Sequence, residues 1–285
     1  LLNDTAGGRR TAVEALGSSL IQWSARKGVN LDRYTKAALA SNATGTYYLR
    51  CPVLFEDPSL PDAVSPKTAV PLYDTGDRPK INEEITFSLT LPSAFTNGAG
   101  TVTINDMWAR PEYLENIDAS VPYIPTALQQ SDWKFASTAN PDDFYVSKDG
   151  YLGSLFFEGY DDAGLTTAGD PLATYSGRLI IKQDETDLHN FNSIEGVQED
   201  DEYNADATYT ATASYKIRAL VGPHIMRDFL HTGPGVNGNL PFSMPRIWSD
   251  ASRVRVTAKG VSASTGFKIT THRFLARDIA LLAGL

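Results

Sequence analysis

The amino-acid sequence predicts an all-β sandwich that is preceded by a helical segment and interrupted by long loops. Several stretches alternate between apolar and polar residues with a period of two, which is typical of antiparallel strands with one buried face. Helical periodicity is confined to the first 40 residues. The strands therefore follow one another without intervening helices, which favours a sandwich over a parallel α/β sheet.

The helical segment lies near the start of the chain. Thr11 and Glu14 have the Ser/Thr-x-x-Glu spacing of a capping box, in which a hydroxyl and a carboxylate satisfy the first free amides of a helix. The apolar residues at helical spacing are Val13, Leu16, Leu20 and Trp23. Gly28 is a typical stop signal, and residues 31–40 are suited to a second short helix.

After this segment the apolar period changes to two. The alternating stretches are residues 47–55, 85–91, 101–104, 209–219, 253–259 and 267–270. Residues 175–182 form a further predicted strand. A short loop closed by Thr265 and Gly266 predicts a hairpin of 252–259 and 266–275. Cys51 falls on the apolar face of the first stretch, so we expect a buried and inert thiol.

Long segments without either periodicity separate the strands. Residues 56–80 are rich in proline and predict an extended connector. Residues 110–172 are aromatic and acidic, 184–206 are acidic, and 231–245 are rich in Gly and Pro. Structureless loops of this length are uncommon in compact domains and are usually functional surfaces.

The composition bounds the class of protein. Of the 285 residues, 42% are hydrophobic, which excludes wholesale disorder. No run of about 18 apolar residues occurs, so we expect no membrane partner. Cys51 is the only cysteine, which excludes an internal disulfide framework and a zinc site built on several thiolates. Since the first residue is Leu1, we expect a further segment ahead of it.

Charge is distributed unevenly along the chain. The formal net charge is −9, yet residues 1–50 hold seven basic residues against three acidic ones, and residues 251–285 hold six against one. The middle of the chain therefore carries the acidic excess. Basic ends on an acidic body predict two electrostatically different surfaces, one of which is suited to a polyanion. Chance clustering on an ordinary soluble surface explains the same numbers equally well.

The sequence contains no catalytic motif. The histidines His189, His224, His231 and His272 are scattered, and none has a second ligand at metal-binding spacing. No Gly-x-Ser-x-Gly elbow or kinase signature occurs. We therefore expect no enzyme activity, no catalytic residue and no cofactor.

One acidic run is a weak candidate for calcium. Glu199, Asp200, Asp201 and Glu202 are consecutive carboxylates, and Ca²⁺ takes several oxygen ligands. The run does not match the EF-hand loop, so a solvated acidic loop is the favoured interpretation. A calcium ion that bridges two subunits remains the alternative.

Three stretches together resemble a known family. The first is residues 47–52 with the proline-rich connector after them, and the second is the predicted strand 175–182 with its glycine. The third is the predicted closing hairpin, residues 247–256 and 260–273, in which a tryptophan precedes the first strand. They are similar to the viral jelly-roll capsid proteins of the nodavirus and tetravirus type, and closest in character to those of the bacilladnaviruses, which infect diatoms. The resemblance covers about 45–110 and 173–276.

The resemblance implies a capsid subunit with an eight-stranded antiparallel jelly roll. It implies an internal helical arm over 1–44, a shell domain over 45–109 and 173–276, a surface insertion over 110–172 and a tail over 277–285. Copies of the chain would assemble into an icosahedral shell in the virion, around a DNA or RNA genome that the arm contacts. The residues expected to face nucleic acid are Arg9, Arg10, Arg26, Lys27 and Arg33. The family's C-terminal self-cleavage is not expected, because Asn–Ala bonds occur only at Asn42 and Asn204.

Two other classes of function remain open. The first is a phage tail, fibre or carbohydrate-binding β-sandwich module with an aromatic ligand surface at Trp108, Tyr113, Tyr123 and Trp133. The second is a secreted β-sandwich hydrolase, which the lack of a catalytic motif disfavours. Particle formation by the full chain discriminates the capsid hypothesis from both.

Overall fold

The fold is known from a computed structural model. The residues that it describes are 2–3, 9–26, 51–57, 65–69, 88–90, 96–97, 100–101, 103–104, 106–110, 126–146, 150–165, 171–192, 195, 224–229 and 253–275. Within them the chain is mostly β-strand, and the long strands form two sheets. The prediction of an all-β sandwich is confirmed.

The strands are numbered in chain order. They are β1 Leu2–Asn3, β2 Arg9–Arg10, β3 Val13–Glu14, β4 Thr96–Asn97, β5 Gly100–Thr101, β6 Thr126–Lys134, β7 Asp142–Tyr145, β8 Tyr151–Tyr160, β9 Tyr175–Gln183, β10 Thr186–Asn192, β11 His224–Asp228, β12 Val254–Gly260 and β13 Gly266–Phe274. The helices are α1 Gly17–Arg26 and the single turn α2 Pro171–Thr174, and a 3₁₀ turn covers Ser65–Thr68.

Two sheets make up the sandwich. One has four strands in the order β10-β9-β12-β7, and the other has five in the order β11-β8-β13-β6-β3. All pairs between the long strands are antiparallel, whereas the short β3 lies parallel to β6. The short strands β1 and β2 pair with each other, as do β4 and β5.

The strands from β6 to β13 pair in a nested order. β6 pairs with β13, β7 with β12, β8 with β11, and β9 with β10. Successive pairs of this series lie in alternate sheets. Within the five-stranded sheet β13 also pairs with β8, and within the four-stranded sheet β12 also pairs with β9, so each sheet contains two of the nested pairs. The arrangement is that of one long antiparallel ribbon rolled up so that its strands alternate between two sheets.

The closing strands β12 and β13 do not form the predicted hairpin. β12 lies between β9 and β7, whereas β13 lies between β8 and β6, so the two belong to different sheets. The loop over 261–265 crosses from one sheet to the other. The two strands themselves lie where the alternation predicted them. Only their pairing, which was inferred from the short loop between them, is wrong.

The core lies between the two sheets and is centred on aromatic rings. The Phe267 ring lies 5.7 to 6.0 Å from the rings of Trp133, Phe135, Phe157 and Tyr175, measured between centroids. β12 alternates strictly between buried and half-buried residues, as a strand with one inner face does. Burial of this aromatic surface is the main stabilisation of the sandwich.

The predicted surface insertion over 110–172 is wrong for residues 126–160. This stretch supplies β6, β7 and β8, and all ten residues of β8 are buried. β8 faces the core on one side and packs beneath α1 on the other. A strand that is covered on both faces has no apolar–polar alternation, so periodicity could not reveal it.

Two of the predicted strands are absent from the described parts of their stretches. Residues 51–57 form no strand, and 88–90 are exposed and irregular. Of the described residues 101, 103 and 104, Thr101 alone belongs to a strand, the two-residue β5, and Ile104 is exposed. Cys51 is exposed rather than buried, although partial desolvation of its thiol raises the pKa above the ordinary value. The predicted strand 209–219 lies outside the described residues.

The predicted N-terminal helix is present with a different start. Val13 and Glu14 form β3 instead of a capping box, and α1 begins at Gly17. Pairing of β3 with β6 explains the difference. Leu128 N donates to Ala12 O over 2.7 Å, so residues 12–14 belong to the five-stranded sheet and the helix can begin only after them. Gly28 and the second helix over 31–40 lie outside the described residues.

Candidate functional site: two outer faces of the sandwich

The outer face of the five-stranded sheet is covered by the N-terminal part of the chain; it is called the covered face below. Leu20 and Trp23 of α1 pack against Leu128 of β6 and Phe156 of β8. Their spacing of three residues places both on one side of the helix. The apolar residues of α1 therefore hold the helix on the sheet.

Polar contacts fix the position of α1 on the covered face. Gln130 Nε2 of β6 donates to Ser19 Oγ over 3.0 Å and lies 3.2 Å from Thr270 Oγ1 of β13. Farther along the helix, Ser24 Oγ donates to Pro52 O over 3.3 Å. Residues 51–57 thus lie alongside α1, and Val53 and Leu54 extend its apolar contact with the sheet.

A buried histidine and a buried carboxylate meet beneath this cover. His272 Nδ1 of β13 lies 4.0 Å from Asp57 Oδ2, and the side chains are 2% and 1% exposed. The imidazole makes edge contacts with the rings of Trp23 and Phe274, with centroids 5.1 and 4.8 Å away. Both ionisable groups therefore lie in apolar surroundings, where an uncompensated charge is costly.

A second buried network holds Asp57 in place. Asp57 N donates to Thr68 Oγ1 over 2.8 Å, and that hydroxyl donates to Ser65 O over 2.7 Å. Ser65 Oγ donates in turn to Glu56 Oε1 over 2.6 Å. The 3₁₀ turn is thereby tied to residues 51–57, and Asp57 joins both to β13.

Ser154 adds a third residue type to this region. It lies directly opposite His272 in the register of β8 and β13, and it is fully buried. Serine, histidine and aspartate are the residue types of one class of nucleophilic catalysis. Here all three side chains are buried, and the distance between His272 and Asp57 exceeds a hydrogen bond. In the described structure this arrangement brings residues 51–57 together with β13.

The outer face of the four-stranded sheet is uncovered in the described structure and strongly charged; it is called the open face below. Its central strands β9 and β12 carry the basic residues Arg178, Lys182, Arg255 and Lys259. The acidic residues stand beside them: Asp143 on the edge strand β7, Asp187 on the edge strand β10, and Glu195 just beyond β10.

Each of three basic residues has an acidic neighbour on this face. Lys182 Nζ lies 3.1 Å from Asp187 Oδ1, Arg255 Nη1 lies 3.6 Å from Asp143 Oδ2, and Arg178 Nη2 lies 3.5 Å from Glu195 Oε2. The hydrogen bond from Lys182 is the main cause that holds the pKa of Asp187 below its usual value. These pairs are exposed to solvent, so each contributes little to stability.

Like charges meet at the centre of the open face. Lys182 and Arg255 are direct partners in the register of β9 and β12, an arrangement that destabilises a sheet. Tyr145, which is half exposed at 52%, is the partner of Arg255 on β7. A basic centre between acidic edges can attract anionic groups to its middle and basic groups to its rim.

The structure brings few of the predicted site residues together. Arg9 and Arg10 lie in β2, and Arg26 is the last residue of α1. Lys27 and Arg33 lie outside the described residues, as do all four calcium candidates, Glu199, Asp200, Asp201 and Glu202. Among the residues that the structure does describe, no three His, Cys, Asp or Glu side chains form a group that could hold a metal ion.

The open face contains basic residues that the sequence did not assign to a surface. The outward row of Arg255 and Lys259 on β12 was visible in the alternation. Its neighbours Arg178 and Lys182 are more than 70 residues away in the chain, and only the pairing of β9 with β12 brings the two rows together. The outward positions of the predicted strand 175–182 were the available signal.

Buried ionisable groups also occur between the sheets. The guanidinium of Arg227 lies 3.9 Å from the centroid of the Phe191 ring, a cation–π contact. Burial raises the pKa of Tyr175, and the charge of Arg227 offsets part of that rise. On the other side of β8, which Tyr160 shares with Phe156, burial, with Glu158 second, likewise raises the pKa of Tyr160. The raised pKa values keep both tyrosine hydroxyls protonated at neutral pH.

The described helices include none that is long and apolar enough to cross a membrane. No family model matches this chain, and no curated protein does. Among solved structures, the chain is similar to the major capsid protein P2 from bacteriophage PM2, with 7% sequence identity and a TM-score of 0.33. The match covers 52% of this chain and 52% of that one, so the chain spans about half the length of the structure that it matches. The comparisons give no support to the nodavirus, tetravirus or bacilladnavirus type.

Proposed function

We propose that this chain is a capsid protein whose sandwich is an eight-stranded jelly roll and which assembles with copies of itself into an icosahedral shell in the virion. The nested pairing of β6 to β13 carries the proposal. Among these eight strands, the first pairs with the eighth, the second with the seventh, the third with the sixth and the fourth with the fifth, and successive pairs lie in alternate sheets. A double-sheet jelly roll consists of eight strands in two Greek keys, and capsid domains are among its main users.

The filled interior supports a structural role. Lectin and cupin domains share the jelly-roll architecture with capsid proteins, and small-molecule sites are usually concave cavities. In this chain aromatic rings fill the centre of the sandwich, where Trp133, Phe267 and Phe157 are all buried. Function is therefore expected at the outer faces, as it is in a subunit that acts through contacts with its neighbours.

The basic N-terminal residues are proposed to contact the viral genome. Arg9, Arg10, Arg26, Lys27 and Arg33 would neutralise phosphates of DNA or RNA without reading the base sequence. The excess of basic residues over residues 1–50 supports this assignment. Calcium at Glu199, Asp200, Asp201 and Glu202, between subunits, stays a prediction.

The test is assembly of the purified full-length chain. We expect particles or large oligomers in electron micrographs and in sedimentation, and nucleic acid that copurifies with them. The charge reversal Arg9→Glu with Arg10→Glu should keep the particles and lower their nucleic-acid content in a salt-dependent manner. The matched control Lys134→Glu, on the exposed end of β6, should change neither.

A chain that stays strictly monomeric at high protein concentration would contradict the capsid proposal. Particles whose nucleic-acid content is the same in the Arg9 and Arg10 variant would contradict the genome contact alone.

An aromatic glycan-binding surface is a second candidate function, and Trp108 supports it. Its side chain is 62% exposed, and Met107 beside it is 57% exposed. Trp133, which the sequence grouped with it, is buried in the core and cannot take part. Tyr113 and Tyr123 lie outside the described residues. A trimer that binds immobilised glycans and loses that binding on Trp108→Ala would favour this function over a shell.

A further inference from the structure

The open face of the four-stranded sheet separates its two signs of charge. The register places Asp187, Lys182, Arg255 and Tyr145 side by side, one from each strand. In this row the carboxylate stands at one edge, the two cations in the centre and the aromatic ring at the other edge. The face is therefore basic along its middle and acidic along the β10 edge, where Glu195 adds a second carboxylate.

The central cations repel each other. Lys182 and Arg255 are direct neighbours across β9 and β12, and like charges in this position destabilise a sheet. The carboxylate of Asp143 lies 3.6 Å from Arg255 Nη1, which is longer than a hydrogen bond. The middle of the open face therefore attracts carboxylates from another molecule.

The carboxylates at the β10 edge are accessible to such a molecule. The side chains of Asp187 and Glu195 are 40% and 47% exposed. Exposed ion pairs contribute little to stability, so replacing a partner in the same chain by one in another chain costs little. Each acidic edge can therefore pair with the basic centre of a neighbouring molecule.

The charge pattern favours a second copy of this chain over a polyanion. Phosphates of a nucleic acid would be repelled by Asp143, Asp187 and Glu195 on the same face. Two open faces that met centre to centre would also repel each other. A sideways displacement by one or two strand spacings, which is about 5–10 Å, places the acidic edge of each copy on the basic centre of the other. The same contact then forms twice about a twofold axis.

We propose that the open face is a contact surface between two copies of this chain, in which Asp187 and Glu195 of each copy pair with Lys182 and Arg255 of the other. The inference rests on the proposed capsid function, because it names one surface through which the copies in a shell meet. Four strands about 4.8 Å apart and the nine residues of β9 give a face of roughly 500–600 Å². A stable interface takes about 800 Å² from each partner, so a single contact is weak and gains strength by repetition in a shell.

Two charge reversals and their mixture test the contact in the full chain. The centre variant is Lys182→Glu with Arg255→Glu, and the edge variant is Asp187→Lys with Glu195→Lys. In either variant alone like charges meet, so the dimer measured by sedimentation equilibrium at low salt should weaken by about tenfold or more. An equimolar mixture has opposite charges at both halves of the contact, so mixed dimers should form about as tightly as wild-type dimers.

Three controls accompany the mixture. Lys134→Glu, at the exposed end of β6 in the other sheet, should associate as the wild type does. Wild-type dimers should weaken when salt rises from about 0.05 M to about 1 M, because salt screens exposed charges. Circular dichroism reports whether each variant is folded. If a charge reversal does not fold, Lys182→Gln with Arg255→Gln decides, and it should weaken the dimer and flatten its salt dependence.

The outcomes separate this contact from the shell. Absence of a wild-type dimer at low salt, or a mixture that associates no better than its separate variants, would overturn the inference. A centre variant that loses bound nucleic acid with an unchanged oligomeric state would also overturn it. Particles that form equally well from both variants would overturn the contact and leave the capsid proposal standing. Dimers that follow the charge pattern without any particles would support the contact and contradict the shell.

Discussion

At the scale of single residues, two glycines mark places where the backbone takes a conformation that side chains disfavour. Gly150 has φ of 85° and Gly177 has φ of 77°. Gly177 lies where the pairing of β9 with β12 shifts its register, so it forms the bulge in a central strand. Gly150 leads into β8, directly against the carbonyl of Phe274 at the end of β13.

The two positions should tolerate alanine differently. A methyl group at Gly150 would overlap the Phe274 carbonyl, whereas one at Gly177 would meet open space. Gly150→Ala should therefore lower the free energy of unfolding by well over 2 kcal/mol, and Gly177→Ala by about 1 kcal/mol from backbone strain alone. Urea denaturation of both variants measures the difference, and equal losses would contradict the overlap.

A second residue-scale prediction concerns the carboxyl of Asp187. Its pKa is lowered chiefly by the hydrogen bond from Lys182, so its contribution to stability is present above the unfolded pKa and is lost as pH falls. Lys182→Ala should raise the pKa of Asp187 toward the ordinary value. NMR titration of the carboxyl carbon measures it, with Lys134→Ala on the other sheet as control. A pKa unchanged by Lys182→Ala would show that the ion pair is absent in solution.

At the scale of elements, the difference between strands that were predicted and strands that were missed has a physical cause. β12 and the start of β13 were predicted because apolar and polar residues alternate there, and β9 was predicted from the apolar residues near its end. β8 was missed because α1 covers its outer side. The basic rows of β9 and β12 could each be read from the sequence, but their union in the open face could not, because the sequence does not specify that β9 pairs with β12. The covered face was not predictable, because Asp57 and His272 are over 200 residues apart in the chain.

β8 is the element whose side chains matter most to the core. Phe157 is fully buried, with its ring centroid 5.8 Å from that of Phe267. Phe157→Ala should lower the free energy of unfolding by about 3–5 kcal/mol, since the cavity cannot be filled by neighbours from two sheets. Val261→Ala, at the exposed loop between β12 and β13, should change it by less than about 0.5 kcal/mol. Denaturant midpoints compare the two, and similar losses would argue against the packed core.

At the scale of the whole molecule, the fold depends on contacts between distant parts of the chain. β6 pairs with β13 although about 130 residues separate them, and the pairing of β7 with β12 spans nearly as many. Pairing of this kind requires long loops to close, and the entropy lost in closing them is offset only once the strands are in contact. Folding is therefore expected to be slow for the size of the domain. The two outer faces follow from the same pairing, because each combines strands from both halves of the chain.

The loop over 261–265 carries the chain from the middle of one sheet to the middle of the other, and this has a consequence for synthesis. Neither sheet can be completed before β12 and β13 have left the ribosome. Until then the strand that lies between β7 and β9, and the strand that lies between β6 and β8, are both missing. Such gaps present unpaired backbone groups that invite pairing with another chain. The segment that forms β12 and β13 therefore completes both sheets.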